Sequence, residues 1–195
     1  MLFSITMERE ILMTGIGGQS VQLCAQVLAQ AALLEDRHVM VLGTYGGSMR
    51  GGNTDSTIVL GDAPIESPPR VSRAWSALAM HSRFWAPVAE KLRPRSVVVL
   101  NSTHFSEPLD REAQRVFDVP ATRIASELGY PLAGSMVLVA AFAGLTSLVG
   151  VESLVAAMRA ALPPYRQQHA DSNDKALRAG FAAAPANAAP AWVDA

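Results

Sequence analysis

Two glycine-rich loops, separated by about thirty residues, carry the side chains and bare backbone of this chain best suited to chemistry. The first reads Gly15-Ile16-Gly17-Gly18-Gln19-Ser20 and follows the apolar run Ile11-Leu12-Met13. The second reads Thr44-Tyr45-Gly46-Gly47-Ser48-Met49-Arg50-Gly51-Gly52 and follows Val39-Met40-Val41-Leu42. Glycine lets backbone approach a ligand closely and take positive φ. A helix starting near Gln19 would aim its free N–H groups and dipole at the first loop, which favours an anion such as phosphate. In the second loop Arg50 is the one charged residue. Its guanidinium suits bidentate binding of phosphate or carboxylate; the alternative is a structural Arg that caps helix carbonyls or pairs with an acid. Tyr45 either packs over a ligand or fills the sheet end. Gly15, Gly17, Gly18, Gln19, Ser20, Tyr45, Arg50, Gly51 and Gly52 are thus the candidate binding residues.

Taken alone, Gly-x-Gly-x-x-Ser is equally the sequence of a tight strand-to-helix turn. A dinucleotide site also wants an acid at the end of the second strand for the ribose hydroxyls. Here that strand ends Leu42-Gly43-Thr44-Tyr45, without Asp or Glu, which disfavours ordinary NAD binding. Neither loop is followed by Gly-Lys-Ser/Thr, so neither is a Walker A motif. The histidines His38, His81, His104 and His169 lack metal-ligand spacing. His104 follows the strongest strand and reads as a loop residue. The single cysteine, Cys24, excludes an internal disulfide and any cysteine-ligated zinc or iron–sulfur site built from this chain alone. Its place on an apolar helix stretch reads as a buried, inert thiol. Trp75, Phe84 and Trp85 read as core or interface. Asn173 stands in a polar helical stretch with no role assignable from first principles.

The elements needed to position these loops are legible. Glu10–Thr14, His38–Gly43, Asp55–Leu60, Trp75–Met80, Ser96–Leu100 and Arg115–Val119 read as strands, the fourth being the most ambiguous with helix. Gln19–Leu34, Ser82–Leu92, Ala121–Leu128, Ala133–Leu148, Val151–Leu162 and Gln168–Phe181 read as helices, with Pro94 expected to end the second. Alternation of strand and helix through the first 120 residues predicts an α/β fold: a doubly wound, mostly parallel, Rossmann-like sheet with helices on both faces and a helical C-terminal part. Its strand ends would hold the loops, since ligands of open α/β sheets bind at the carboxyl ends of strands. Residues 1–181 are expected to form one domain, and the Ala/Pro-rich residues 182–195 a loose or partner-bound tail.

With 195 residues, half of them hydrophobic, the chain can build a sizeable core. Its net charge of −1 and pI of about 6.4 argue against a broad nucleic-acid surface. Glu8, Arg9 and Glu10 follow the short apolar start too soon for a secretory leader. The apolar stretch Met136–Val151 is shorter than the roughly 20 residues of a membrane span and reads as a buried helix. A cytoplasmic protein with no membrane insertion is expected.

Several motifs in order carry a more specific signal: Gly15-Ile16-Gly17-Gly18-Gln19, Tyr45-Gly46 with Arg50-Gly51-Gly52, Asp62-Ala63-Pro64-Ile65 with Ser67-Pro68, and the late Asn173-x-x-Ala176-x-x-x-Gly180. Together, from about Glu10 to Phe181, they resemble the gamma subunit, or gamma domain, of the 2-oxoacid:acceptor oxidoreductases (the pyruvate, 2-oxoglutarate, branched-chain and aryl 2-oxoacid enzymes). The Tyr45-Gly46 and Arg50-Gly51-Gly52 form is nearer the 2-oxoglutarate and branched-chain type than the indolepyruvate type. Two departures stand out: Ser20 where the family usually has Gly, and Ser135 where it often has Asn.

The resemblance implies a cytoplasmic, multi-subunit oxidoreductase that decarboxylates a 2-oxo acid on thiamine diphosphate, passes electrons through iron–sulfur clusters and delivers an acyl-CoA. Thiamine diphosphate, magnesium and clusters would reside in alpha, beta and ferredoxin-like delta partners, with ferredoxin, or NAD through an added flavin subunit, as acceptor. The gamma part is implicated in holding coenzyme A and in assembly, and would be inactive alone. A glycine loop at a helix start plus one Arg suits the phosphates of coenzyme A. The expected contacts are the backbone of Gly17, Gly18 and Gln19 and the Ser20 hydroxyl, with Arg50 on an anionic group or against a partner. Two other readings stand beside this one: a stand-alone nicotinamide dehydrogenase, and a nucleotide-binding regulatory module.

Overall fold

The computed structural model describes residues 6–45, 51–66 and 71–193. Its sheet has six strands: β1 (Glu8–Ile16), β2 (His38–Tyr45), β3 (Asn53–Gly61), β4 (Ala74–Ala79), β5 (Leu92–Asn101) and β6 (Arg115–Val119), in the order β2-β3-β1-β4-β5-β6. β4, β5 and β6 continue in parallel from β1, whereas β3 pairs antiparallel with both β1 and β2. All strands but β3 therefore run the same way, and the expected mostly parallel α/β sheet is observed. The exception is physical. Residues 46–52 are too few for a helical crossover, so β3 must return beside β2.

The helices are α1 (Val21–Leu34), the short α2 (Ala86–Ala89), α3 (Ala121–Glu127), α4 (Gly134–Thr146), α5 (Val151–Ala161) and α6 (Ala170–Ala183). Helices α1, α3, α4, α5 and α6 join the core that covers Ile11, Met13, Ile58, Leu60, Leu78 and Val99. All thirteen residues of α4 are buried, which explains an apolar run with no polar face. The opposite sheet face is covered more thinly, by Trp85, Val88 and Phe105 over Leu12, Ala77, Val98 and Leu100. There Trp85 and Phe105 meet edge to face at 5.5 Å.

One expected helix is replaced. Instead of a helix over Ser82–Leu92 there is a 3-10 turn at Ser82–Phe84, then the four-residue α2, and the chain already enters β5 at Leu92. Pairing with β4 wins over helical spacing: the Ala74 N–H donates to Lys91 O at 2.6 Å. Pro94 lies within β5 rather than ending a helix. It sits where the register jumps, Ala74 facing Leu92 but Ser76 facing Val97, so its missing N–H leaves no gap in the ladder. Arg95, at φ 61, makes the bend, and the Ser96 hydroxyl donates to Ala74 O at 2.8 Å.

The Ala/Pro-rich segment is not loose over residues 184–193. The N–H groups of Asn187, Ala189 and Ala191 donate to Gly144 O, Leu145 O and Thr146 O, the last carbonyls of α4. The Trp192 indole donates to Leu148 O at 3.1 Å and lies under the Arg37 guanidinium. Arg9 and Arg115 donate to Ala191 O and Ala188 O. A buried helix end needs such partners, and this segment supplies them from within the chain. Among the described residues no helix is long and apolar enough to cross a membrane.

Candidate functional site

The antiparallel return of β3 brings the end of the second glycine loop against the first. Ile16 at the end of β1 faces Asn53 at the start of β3, and the Gly17 N–H donates to Gly52 O at 2.8 Å. The first loop and the described end of the second, Gly51 and Gly52, thus meet at one corner of the sheet, although β2 and β1 are not neighbours.

Within that corner the predicted residues divide by task. Gly15 is there for packing: a Cβ on it would lie 2.8 Å from both Gln19 Oε1 and Val21 Cγ2. Gln19 is an internal strut. Its Oε1 accepts from the Ile16 N–H at 3.0 Å, its Nε2 faces Met80 O at 3.5 Å, and its carbonyl accepts from the Ser135 hydroxyl. Gly18 at φ 105 and Gly51 at φ 83 make turns that L side chains resist. Ser20 is the N-cap of α1 at φ 56, and its side chain makes no capping bond. That left-handed backbone favours glycine. Tyr45 ends β2; its side chain and the whole of Arg50 lie outside the described residues, as do Gly46 to Met49 and Ser67-Pro68.

Of the predicted set, Gly18 and Ser20 line a cleft of about 760 Å³. Its remaining walls come from Thr54, the segment 129–136, and Leu162, Arg166, His169, Ser172 and Asn173. First-turn residues of three helices meet here: Val21 to Leu23 of α1, Ser135 and Met136 of α4, and Ser172 and Asn173 of α6. None of the three helices carries a side-chain N-cap bond, and α1 and α4 have no acid in the first turn. Helices α4 and α6 continue directly from 3-10 turns at Pro131–Ala133 and Pro164–His169, and α6 carries Asp171 in its first turn, so the free helix start at this space is that of α1. The Gln22 Nε2, buried at the wall, has no hydrogen-bond partner among the described residues. The rim is apolar and open: Tyr130 is 38% exposed and Leu132 89%. The arrangement suits a ligand that is anionic at one part and apolar at another.

Arg166, Thr54, Met136 and residues 129–133 were not singled out by the sequence; His169 was set aside with the other histidines, and Ser135 was noted only as a departure from the resembling family. Asn173 was noticed without a role, and here it stands at the cleft wall beside Ser172. Charges behind the wall fix α6. Arg178 bonds both oxygens of Glu152 at 2.6 and 2.9 Å and Asp174 at 2.7 Å, while Arg159 bonds Asp171 and Asp174. The hydrogen bonds from Arg178 hold the Glu152 carboxyl below its ordinary range.

Two other residues are set apart. Cys24 is fully buried beside Met136, and burial pushes its thiol up to about 12. His104 stacks on His81 with centroids 5.9 Å apart, at the ends of β4 and β5 and away from the cleft lining. Desolvation, then the neighbouring His104 and Arg83, lowers the His81 pKa. Near the loops, Thr14 Oγ1, Asn53 Oδ1 and Asp55 Oδ1 are buried without hydrogen-bond partners among the described residues.

Residues 10–183 match the family described as Pyruvate ferredoxin/flavodoxin oxidoreductase. The chain is 28% identical over 162 residues to the 2-oxoglutarate synthase subunit KorC of Methanocaldococcus jannaschii, covering 82% of this chain and 86% of that one. Its fold matches the gamma subunit of the keto/oxoacid ferredoxin oxidoreductase of Geobacter sulfurreducens PCA with a TM-score of 0.75 at 22% identity, over 90% and 95% of the two chains. It also matches a third of a longer chain, the 2-oxoglutarate:ferredoxin oxidoreductase of Magnetococcus marinus solved with 2-oxoglutarate, coenzyme A and succinyl-CoA bound. There the TM-score is 0.78, the identity 17% and the coverage of this chain 96%. The chain belongs to the pyruvate ferredoxin/flavodoxin oxidoreductase family, and the fold is that of its gamma subunits.

Proposed function

We propose that this chain, as a gamma subunit of that family, works in a multi-subunit 2-oxoacid oxidoreductase that converts a 2-oxo acid to its acyl-CoA, and that its own contribution is coenzyme A binding and assembly. The cleft of about 760 Å³ carries the reading. It falls within the roughly 300–1,000 Å³ of small-molecule sites. It joins the uncapped start of α1 to an apolar rim, as a diphosphate attached to a pantetheine arm would require.

In this reading Gly18 and the α1 first turn hold the diphosphate by backbone N–H groups, with the Ser20 hydroxyl as a further donor. Gly15, Gly17 and Gln19 set the loop's shape, and Gly51 and Gly52 tie the second loop to it. Arg50 and Tyr45 are proposed to face the same ligand or a partner subunit. Thiamine diphosphate, with its magnesium, supplies the decarboxylation chemistry from alpha and beta partners, and iron–sulfur clusters in beta or a ferredoxin-like delta part take the electrons. The one cysteine of this chain is buried in the apolar core and cannot ligate a cluster. A cytoplasmic site of action belongs to the same reading.

The geometry counts against an NAD-type dehydrogenase. In a dinucleotide-binding sheet the second strand pairs with the first. Here β3 lies between them, so the end of β2 is one strand removed from the first loop.

Purification of the tagged chain from its host, with thiamine and iron analysis of the eluate, tests the proposal. Co-eluting larger chains, thiamine diphosphate, iron–sulfur clusters and coenzyme A-dependent oxidation of a 2-oxo acid are expected. A folded chain that elutes alone and shows no affinity for coenzyme A would overturn it.

A further inference from the structure

We infer that Arg166 and His169 form a second phosphate-recognition point in the cleft, reading the monophosphate on the ribose of coenzyme A. The inference rests on the proposal that coenzyme A occupies this cleft. The cleft has two separate anion-receptive walls. One is Gly18, Ser20 and the first turn of α1, a fourteen-residue helix with no side-chain cap and no acid in its first turn. The other is the 3-10 segment Pro164–His169, which presents Arg166 and His169 to the same space.

The positive charge on the second wall is uncompensated. The acids nearest in sequence, Asp171 and Asp174, are taken by Arg159 and Arg178, and Glu152 by Arg178. Arg166 has no ion-pair partner among the described residues, and its guanidinium lies 5.5 Å from the Tyr165 ring centroid. Both Arg166 and His169 are exposed, so their donors are open to a ligand.

A ligand with one phosphate group needs one wall. Two walls on one cleft fit a ligand with two separated phosphate groups, and coenzyme A has that pattern: a diphosphate on one ribose carbon and a monophosphate on another. Consecutive backbone N–H groups at a helix start suit the diphosphate. An arginine fork with an imidazole N–H beside it suits a lone phosphate. The site would thereby distinguish coenzyme A from dephospho-coenzyme A, which lacks only the ribose monophosphate.

Calorimetric titration of the full-length chain with both compounds tests this. Wild type should bind coenzyme A about tenfold or more tightly than dephospho-coenzyme A, the effect of one charge-assisted contact. Arg166→Ala should weaken coenzyme A to the level of dephospho-coenzyme A and leave the latter unchanged; Arg166→Lys should restore part of the preference. Equal wild-type affinities, or a preference that survives in Arg166→Ala, would overturn the inference while leaving coenzyme A binding intact. Binding of neither compound would overturn the reading beneath it and the inference with it. The Arg166 side chain is exposed, so the variant is expected to fold as wild type, which circular dichroism checks.

Discussion

Substitution of Gly180 tests the packing that places α6 beside the cleft. Gly180 of α6 lies on Val137 of α4, and Gly144 of α4 lies on Phe181 of α6, so the two helices touch backbone to backbone. A Cβ on Gly180 would stand 2.7 Å from Val137 Cα and 2.8 Å from its carbonyl carbon, and nearer still to its carbonyl oxygen. Carbon atoms pack at about 3.5–4.0 Å, so the helices would have to part by roughly 1 Å. Neither neighbour is a flexible side-chain end, and α4 is buried along its whole length, so it cannot retreat without losing contacts on the sheet. Alanine gains about 1 kcal/mol of helix propensity over glycine. Overpacking of about 3 kcal/mol or more opposes it, the upper part of the usual range because both partners are rigid. Gly180→Ala should therefore lose about 2 kcal/mol net, lowering the urea midpoint by about 1 M at a slope near 2 kcal/mol/M. Far-ultraviolet circular dichroism against urea measures this. Gly43→Ala is the control: among the described residues its Cβ would meet only Gln22 Nε2, at 3.8 Å, and its stability should stay within about 0.5 kcal/mol. A Gly180→Ala midpoint at or above wild type with an unchanged slope would refute the argument.

Removing residues 184–195 should cost at least about 3 kcal/mol, since three buried carbonyls of α4 lose their donors at about 1–3 kcal/mol each; unchanged thermal stability of the truncated chain would show that water replaces them. Gln19→Ala leaves the Ile16 N–H without its acceptor and should lose about 1–2 kcal/mol, read by the same urea titration. The Cys24 thiol, pushed up to about 12 by burial, should react with a thiol reagent at neutral pH only as fast as the chain opens; rapid labelling of the native chain would contradict this. The Glu152 carboxyl is held low by Arg178, so its stabilising effect is present above its ordinary value of 4.5 and is lost as pH falls through its lower folded value. The stability gap between wild type and Glu152→Gln should accordingly shrink below pH 4.5; a gap that stays constant down to acid unfolding would remove the linkage.

How much of this was legible in the chain depends on where each signal resides. Strands such as Val97-Val98-Val99-Leu100 and the helix over α4 announce themselves locally, because burial on all sides demands unbroken apolar runs. The direction of β3 was also implicit in a connection too short to cross over, but strand direction is not a property of the strand's own residues. The replacement of the Ser82–Leu92 helix was not legible: the pairing of Leu92 with Ala74 that overrides it joins segments whose own residues carry no mark of the contact. The same limit governs the cleft. The first loop is a local signal, and of its residues Gly18 and Ser20 line the cleft. The opposite wall is made by residues some 110 to 150 positions away, Tyr130 and Leu132 on one connection and Arg166 and His169 on another. They meet the loop because α4 runs under α1 and α6 crosses α4 at glycines. The four-residue spacing of Ala176 and Gly180 therefore speaks of that crossing and not of the cleft. It is the crossing that sets Ser172 and Asn173 at the wall, so the glycine loop alone describes half of the cleft, and its other half is written in the helix contact that Gly180→Ala would break.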